Sequence, residues 1–364
     1  MKLYKIILLV FFAIFLNCSS DNNDNNQIVD PKPIPTATLK ESADFPIGNI
    51  VSASRLSGTD SYFRTLLNKE FNSITAENDM KMAAMFPAPN TYDYSKGDAI
   101  VAYAKANGFR VHGHALVWHA SIPNWLKNYS GTDEEFEDQV KAYVKNTVAH
   151  FAQEKNTQGQ SIVESWDVVN EHFTSDAEAA VFYKRIGPDY LSKCFIWARE
   201  ADPDVKLFYN DYNLGNTPEK ASKVANMAAN FATNSIPING IGMQMHIDYN
   251  FPDLNTLTAN VNLLKNTGLL IHFSELDMVT NRDKKLTTFT TSRSNAQKEK
   301  YKQIAKIYKT IPESQQFGIT FWGMRDTDSW LLNFTNNPNE WPLLFDSNYN
   351  YKPAFFGFLE GLTE

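Results

Sequence analysis

The sequence predicts an α/β fold, a single (β/α)8 (TIM) barrel that follows an exported leader and a flexible tether. Three observations carry this expectation. Eight short apolar, β-branched runs recur between residues 45 and 323. Helix-like segments lie between most of them, the pattern of βαβ units and a parallel sheet. Polar residues gather at the C-terminal ends of seven of the eight runs, the face on which such barrels carry their sites. The 364 residues suit one large barrel with inserted loops. The rival open doubly wound sheet lacks a G-x-G-x-x-G after its first strand.

In chain order, Lys2 and Lys5 precede an unbroken apolar run, Ile6 to Leu16. As helix it spans about 16 Å, roughly half a bilayer core, which fits a signal segment rather than a membrane anchor. Cys18 follows at once, in the context FLNCSS. Residues 1–17 therefore read as a lipoprotein-type signal, with Cys18 as the lipidated residue. Residues 18–39 read as a polar, Pro-punctuated tether unable to bury a core, and residues 40–364 as the barrel. The expected location is outside the cytoplasm, lipid-anchored to the outer membrane at the cell surface. Membrane contact is expected only through that lipid. Of the two cysteines only Cys194 then remains, at helical spacing among Leu191, Phe195 and Ala198, a buried inert thiol.

The eight strand candidates are FPIGNIVSAS, FNSITAEN, RVHGHALVW, ESWDVVNE, VKLFYNDYN, INGIGMQMH, LLIHFSELD and FGITFWG. Helices are expected at 134–153, 189–201 and 295–310, and the basic stretch KEKYKQIAKIYK near residue 300 reads as a solvated helix face. The formal charge of −7, from 34 Lys and Arg against 41 Asp and Glu, argues against nucleic acid. Aromatic residues, 13% of the chain, suit a ligand with flat apolar faces such as a sugar. With no coiled-coil heptads, a monomer is the default.

The strand ends supply the chemistry. In order they carry Glu77 and Asn78, His114 and Trp118, Asn170 and Glu171, Asn210 and Asp211, Gln244 and His246, Glu275 and Asp277, and Trp322. Glu171 and Glu275 follow strongly apolar strands, so both are expected at a buried rim where desolvation and neighbouring charges set their protonation. Two such glutamates across a barrel mouth are what glycoside hydrolysis needs, one to protonate the leaving oxygen and one to attack or to activate water. The strands alone do not say which is the acid. By strand alternation Gln244 shares a face with His246, and Glu275 with Asp277. A histidine held by Asp277 could hydrogen-bond Glu275 and keep it ionised.

The stretches TAENDMK (75–81), GHALVWH (113–119), WDVVNE (166–171), YNDYN (209–213), GIGMQMH (240–246), FSELDM (273–278) and FWGMRDTDSW (321–330) resemble glycoside hydrolase family 10, the endo-β-1,4-xylanases. The resemblance covers nearly all of the chain from about residue 45 to 360. It implies a retaining mechanism with Glu171 as acid/base and Glu275 as nucleophile, and Asn170 on the 2-hydroxyl of the reacting sugar. It places Glu77, Asn78, Lys81, His114, Gln244, Trp322 and Trp330 on the non-reducing side of the cleavage point, with Trp118 beside them and Tyr212 on the leaving side. It implies xylan or xylo-oligosaccharides as substrate and no cofactor or metal. The sequence departs from the family pattern at Leu331, where arginine is common, and at Met324 and Arg325, where smaller residues are common.

Three other readings compete: the same glutamates acting on a glucan, a metal hydrolase using the His112-x-His114 pair, and a glycan-binding lipoprotein without catalysis.

Overall fold

The computed structural model describes residues 34–364. The signal segment, Cys18 and most of the tether lie outside the described residues. Nine strand segments close into a parallel barrel: β1 (Ile47–Val51), β2 (Ser73–Ala76), β3 (Arg110–Gly113), β4 (Val117–Trp118), β5 (Val163–Asn170), β6 (Lys206–Tyr212), β7 (Gly240–Asp248), β8 (Leu270–Val279) and β9 (Gln316–Phe321). Neighbours run β3-β2-β1-β9-β8-β7-β6-β5-β4, and pairing of β3 with β5 closes the ring. Because β3 and β4 both lie on β5, they act as one interrupted strand. The result is the eight-stranded barrel that the sequence predicts.

Each barrel strand is followed by a principal helix: Ser61–Glu70, Ser95–Asn107, Asp133–Phe151, Tyr190–Ala201, Pro218–Thr233, Leu254–Lys265, Thr291–Lys309 and Pro353–Thr363. Local chemistry sets their ends. Thr132 and Glu135 form a reciprocal capping box at the start of Asp133–Phe151. Gly108, in the left-handed region at φ 74°, stops Ser95–Asn107. On the helix Tyr190–Ala201, Cys194 is buried and unbridged, and burial pushes its thiol well up. Leu39 is already fully buried, and its N–H donates to Glu70. Among the described residues no helix is long and apolar enough to cross a membrane.

The basic stretch near residue 300 is not simply a solvated face. Lys298, Lys302 and Lys306 form ion pairs with Glu360 and Glu364 at the end of the last helix. Lys300 is buried and donates to the Pro252 carbonyl. The lysine stems cover apolar surface while their heads reach acceptors.

The bottom of the barrel is filled by Phe208 and Phe317, ring centroids 4.4 Å apart, with the Arg110 guanidinium 4.0 Å from the Phe317 ring. Above this apolar plug the interior turns polar. His112, Ser165, Asp167, His272 and Thr320 are all buried there, and the site stands on this layer.

Candidate active site

Two irregularities in the parallel register aim the site. Strand alternation in WDVVNE would send Asp167 and Asn170 to opposite faces. The β5–β6 pairing slips between Asp167 and Val169, and both side chains turn inward. In β8 the register against β7 slips between Ser274 and Asp277, so Ser274 and Glu275 also both face the interior. Glu171 and Glu275 hold left-handed backbone, φ 60° and 56°. Strained conformations of this kind cluster at functional sites.

A bridge of amides joins the two glutamates. Asn210 Nδ2 donates to Glu275 Oε1 at 2.7 Å and to Asn170 Oδ1 at 2.9 Å. Gln244 Nε2 donates to Asn170 Oδ1 at 3.1 Å and to Glu171 Oε1 at 3.0 Å. Ser274 Oγ donates to Asn210 Oδ1 at 2.6 Å and fixes the orientation of that amide. Gly242 makes room for it, since a Cβ there would stand 2.2 Å from Asn210 Oδ1.

Charge is arranged asymmetrically. His246 Nδ1 lies 2.8 Å from Asp277 Oδ1, and its Nε2 lies 3.2 Å from Glu275 Oε2. Burial opposes a charge on His246, but Asp277 and Glu275 outweigh it and push its pKa up to about 10. The imidazolium thus donates from both nitrogens. In return, although burial favours the neutral acid, the hydrogen bond from His246 and the neighbouring histidines hold Glu275 below its ordinary value. Burial raises Asp277, with His246 and Trp330 opposing. Trp330 Nε1 donates to Asp277 Oδ2 at 2.7 Å, completing the chain.

The other residues singled out in the sequence surround this pair. Lys81 Nζ donates to Asn78 Oδ1 at 3.0 Å and lies 4.8 Å from the centre of the Trp118 ring. Burial lowers its pKa, opposed by the charges of Glu275, Glu77 and Glu171. Burial raises Glu77, with Lys81 and Arg55 opposing. His114 donates Nδ1–H to Asp167 at 2.8 Å and meets the Trp322 ring edge-on at 5.3 Å. Tyr212 lies under Lys220, whose Nζ is 3.6 Å from the ring centre and 2.6 Å from Asp211. The histidines of the H-x-H pair are both turned to Asp167, His112 with its Nε2 3.0 Å away and its Nδ1 on Ser165.

Sequence reasoning assigned no role to three groups that the site uses. Asn210 was visible at a strand end, but nothing in its spacing ties it to Glu275. Ser274 faces inward only because of the bulge. His119 brings its Nε2 to 3.9 Å from Glu171 Oε2, on a loop whose path no periodicity encodes.

The family model for glycosyl hydrolase family 10 matches residues 37–361. This chain belongs to that family. Several family 10 relatives are named as xylanases. An endo-β-1,4-xylanase of Cellvibrio japonicus is 37% identical over 347 residues, covering 88% of this chain and 56% of its own length. The chain thus spans about half of that relative. An endo-1,4-β-xylanase of Thermotoga neapolitana is 34% identical, covering 91% of this chain and 92% of its own length. The solved structure of a mutant family 10 xylanase from Cellvibrio japonicus in complex with xylopentaose superposes with a TM-score of 0.83 at 36% identity, covering 90% of this chain and 69% of that one.

Proposed function

We propose that this chain is an endo-acting, retaining glycoside hydrolase that cleaves internal β-1,4-xylosidic bonds of xylan, with Glu275 as nucleophile and Glu171 as acid/base. The observation that carries the assignment is the unequal treatment of the two carboxyls. Glu275 is kept as a carboxylate by the His246 imidazolium and the Asn210 amide. Glu171 accepts hydrogen bonds only from neutral amides, those of Gln244 and Asn170.

In the first step Glu275 attacks the anomeric carbon while protonated Glu171 gives its proton to the leaving oxygen. A covalent xylosyl-enzyme results. Glu171, now a carboxylate, takes a proton from water, which attacks the same carbon and releases Glu275 with net retention. Asn170, oriented by Asn210 and Gln244, is placed to bind the 2-hydroxyl of the reacting sugar. Glu77, Asn78, Lys81, His114, Trp322 and Trp330 hold the non-reducing side, and Tyr212 the leaving side.

The test is reducing-sugar release from xylan by residues 39–364 and by Glu275→Ala and Glu171→Gln, with carboxymethylcellulose alongside. Xylo-oligosaccharides from the parent alone, and retained release of an activated aryl leaving group by Glu171→Gln, are the expected results. Full xylan activity in Glu171→Gln would overturn the acid/base assignment. A preference for the cellulose would move the substrate to glucans.

The N-terminal pattern supports export and lipid attachment at Cys18, which would hold the protein at the outer membrane surface. Radiolabelled palmitate incorporation that is lost in Cys18→Ser is the expected result; equal labelling would refute it.

A further inference from the structure

The bend that carries Glu171 is held from behind by a side chain that the reaction itself does not use. Along β6, Asn210 points into the barrel toward Glu275. Tyr209 and Asp211, on either side of it, therefore share the opposite face, and both are wholly buried. Tyr209 lies beside Val169 in the β5–β6 register and reaches past the end of β5. There its Oη accepts two successive backbone N–H groups, that of His172 at 3.1 Å and that of Phe173 at 3.3 Å. The Phe173 ring also meets the Tyr209 ring edge-on at 5.6 Å. Among the described residues neither N–H has another acceptor.

The same hydroxyl donates to Asp211 Oδ2. Burial and the Asp211 charge hold the phenol protonated. Its one proton thus goes to Asp211, and its lone pairs are left for the two amides. Asp211 is fixed in turn, since its Oδ1 accepts the Tyr212 N–H at 2.9 Å and Lys220 Nζ at 2.6 Å. A chain therefore runs from Lys220, on the helix Pro218–Thr233, through Asp211 and Tyr209 to the two peptide groups that follow Glu171. On the other side of the bend the Glu171 N–H donates to the Asn210 carbonyl at 2.9 Å. Glu171 needs such a grip, because a φ of 60° is unfavourable for a residue with a Cβ.

We propose that Tyr209 is a positioning residue for the acid/base: it clamps the left-handed bend after β5 so that the Glu171 carboxyl reaches the leaving oxygen. The proposal rests on the xylanase reading above. It gives β6 two duties, Asn210 on the inner face orienting the nucleophile and Tyr209 on the outer face orienting the acid. A carboxyl misplaced by about 1 Å costs on the order of a hundredfold, but only where a proton has to be passed.

The experiment compares kcat/KM on phenyl xylobioside, whose leaving group needs the proton, with kcat/KM on dinitrophenyl xylobioside, whose leaving group does not. The proteins are the parent, Tyr209→Phe, Glu171→Gln and the double variant. Neither substrate has a sugar on the leaving side, so any disturbance of Tyr212 touches both alike. Tyr209→Phe is expected to lose about ten- to hundredfold on the phenyl substrate and less than about threefold on the dinitrophenyl one. On the latter kcat and KM should fall together, because release of the xylosyl-enzyme also needs Glu171, as base. Added to Glu171→Gln, Tyr209→Phe should cost less than about threefold more on either substrate. Asp211→Asn, which keeps the shape of the carboxyl, should show the same split at about three- to tenfold, and it carries the test if Tyr209→Phe does not fold. Equal losses on both substrates would make Tyr209 a support of the fold alone, and no loss on the phenyl substrate would mean that the bend holds itself; either result overturns the proposal. Glu171→Gln cleaving the phenyl substrate as fast as the parent would overturn the acid/base reading, and this proposal with it.

Discussion

Asn210→Ala would cut the bridge between the two glutamates at its centre. Asn210 is wholly buried and makes three hydrogen bonds, of 2.7 Å to Glu275, 2.9 Å to Asn170 and 2.6 Å from Ser274. The first is a donor to a carboxylate, worth about 1.5–3 kcal/mol, against about 1 kcal/mol for neutral pairs. If that bond matters most when Glu275 is aligned for attack, its loss lowers kcat/KM roughly ten- to hundredfold. Glu275 also loses a group that stabilises its charged form, so the acid limb of the kcat/KM profile should move to higher pH. The burial that raises Glu275 is then opposed chiefly by His246 and His114. The assay is kcat/KM on an aryl xylobioside from pH 4 to 8, with circular dichroism to confirm folding. A folded variant within twofold of the parent, with an unmoved acid limb, would refute the idea that Asn210 holds the nucleophile.

Gly242→Ala should reproduce much of this effect without touching a hydrogen-bonding group, because its Cβ would meet Asn210 Oδ1 at 2.2 Å. Overpacking of this kind costs about 1–3 kcal/mol, read as a fall in Tm together with lost turnover. For His246, burial is outweighed and the folded value is about 10 against an ordinary 6.5. Its contribution to stability is therefore complete below pH 6.5 and lost as pH climbs toward 10. The Tm advantage of the parent over His246→Gln should narrow across that window, and a gap that widens would contradict the protonated imidazole. Lys352 is buried, pairs with Asp326 at 2.9 Å and donates to the Trp341 and Leu343 carbonyls, pinning the loop that carries Trp330. Lys352→Met should cost about 3–5 kcal/mol by stranding Asp326, and adding Asp326→Asn should restore part of the lost Tm.

The eight strands and the strand-end polar residues were legible because a parallel barrel strand is a short apolar run whose last residues meet solvent. The His246–Asp277–Glu275 chain was legible too, since residues 275–277 keep simple alternation. The bulges before Asn170 and at Glu275 were not. Each depends on how a neighbouring strand pairs, which one strand's own pattern does not contain. Asn210 illustrates the limit: its position at a strand end could be read, but its partners come from residues 40 and 65 positions away. The basic helix near residue 300 misled for a related reason. Lysine spacing shows which side chains share a face, not that the last helix waits there with Glu360 and Glu364.

The left-handed backbone at Glu171 and Glu275 has a further consequence. A glutamate in that region costs on the order of 1–2 kcal/mol that glycine does not incur, and Glu275 adds the desolvation of a buried charge. The fold would therefore be more robust with glycine at both positions. A lineage selected only for persistence would drift toward an inert barrel. Keeping two carboxyls at these two bends is a continuing sacrifice of stability to chemistry, concentrated in two residues of the 364.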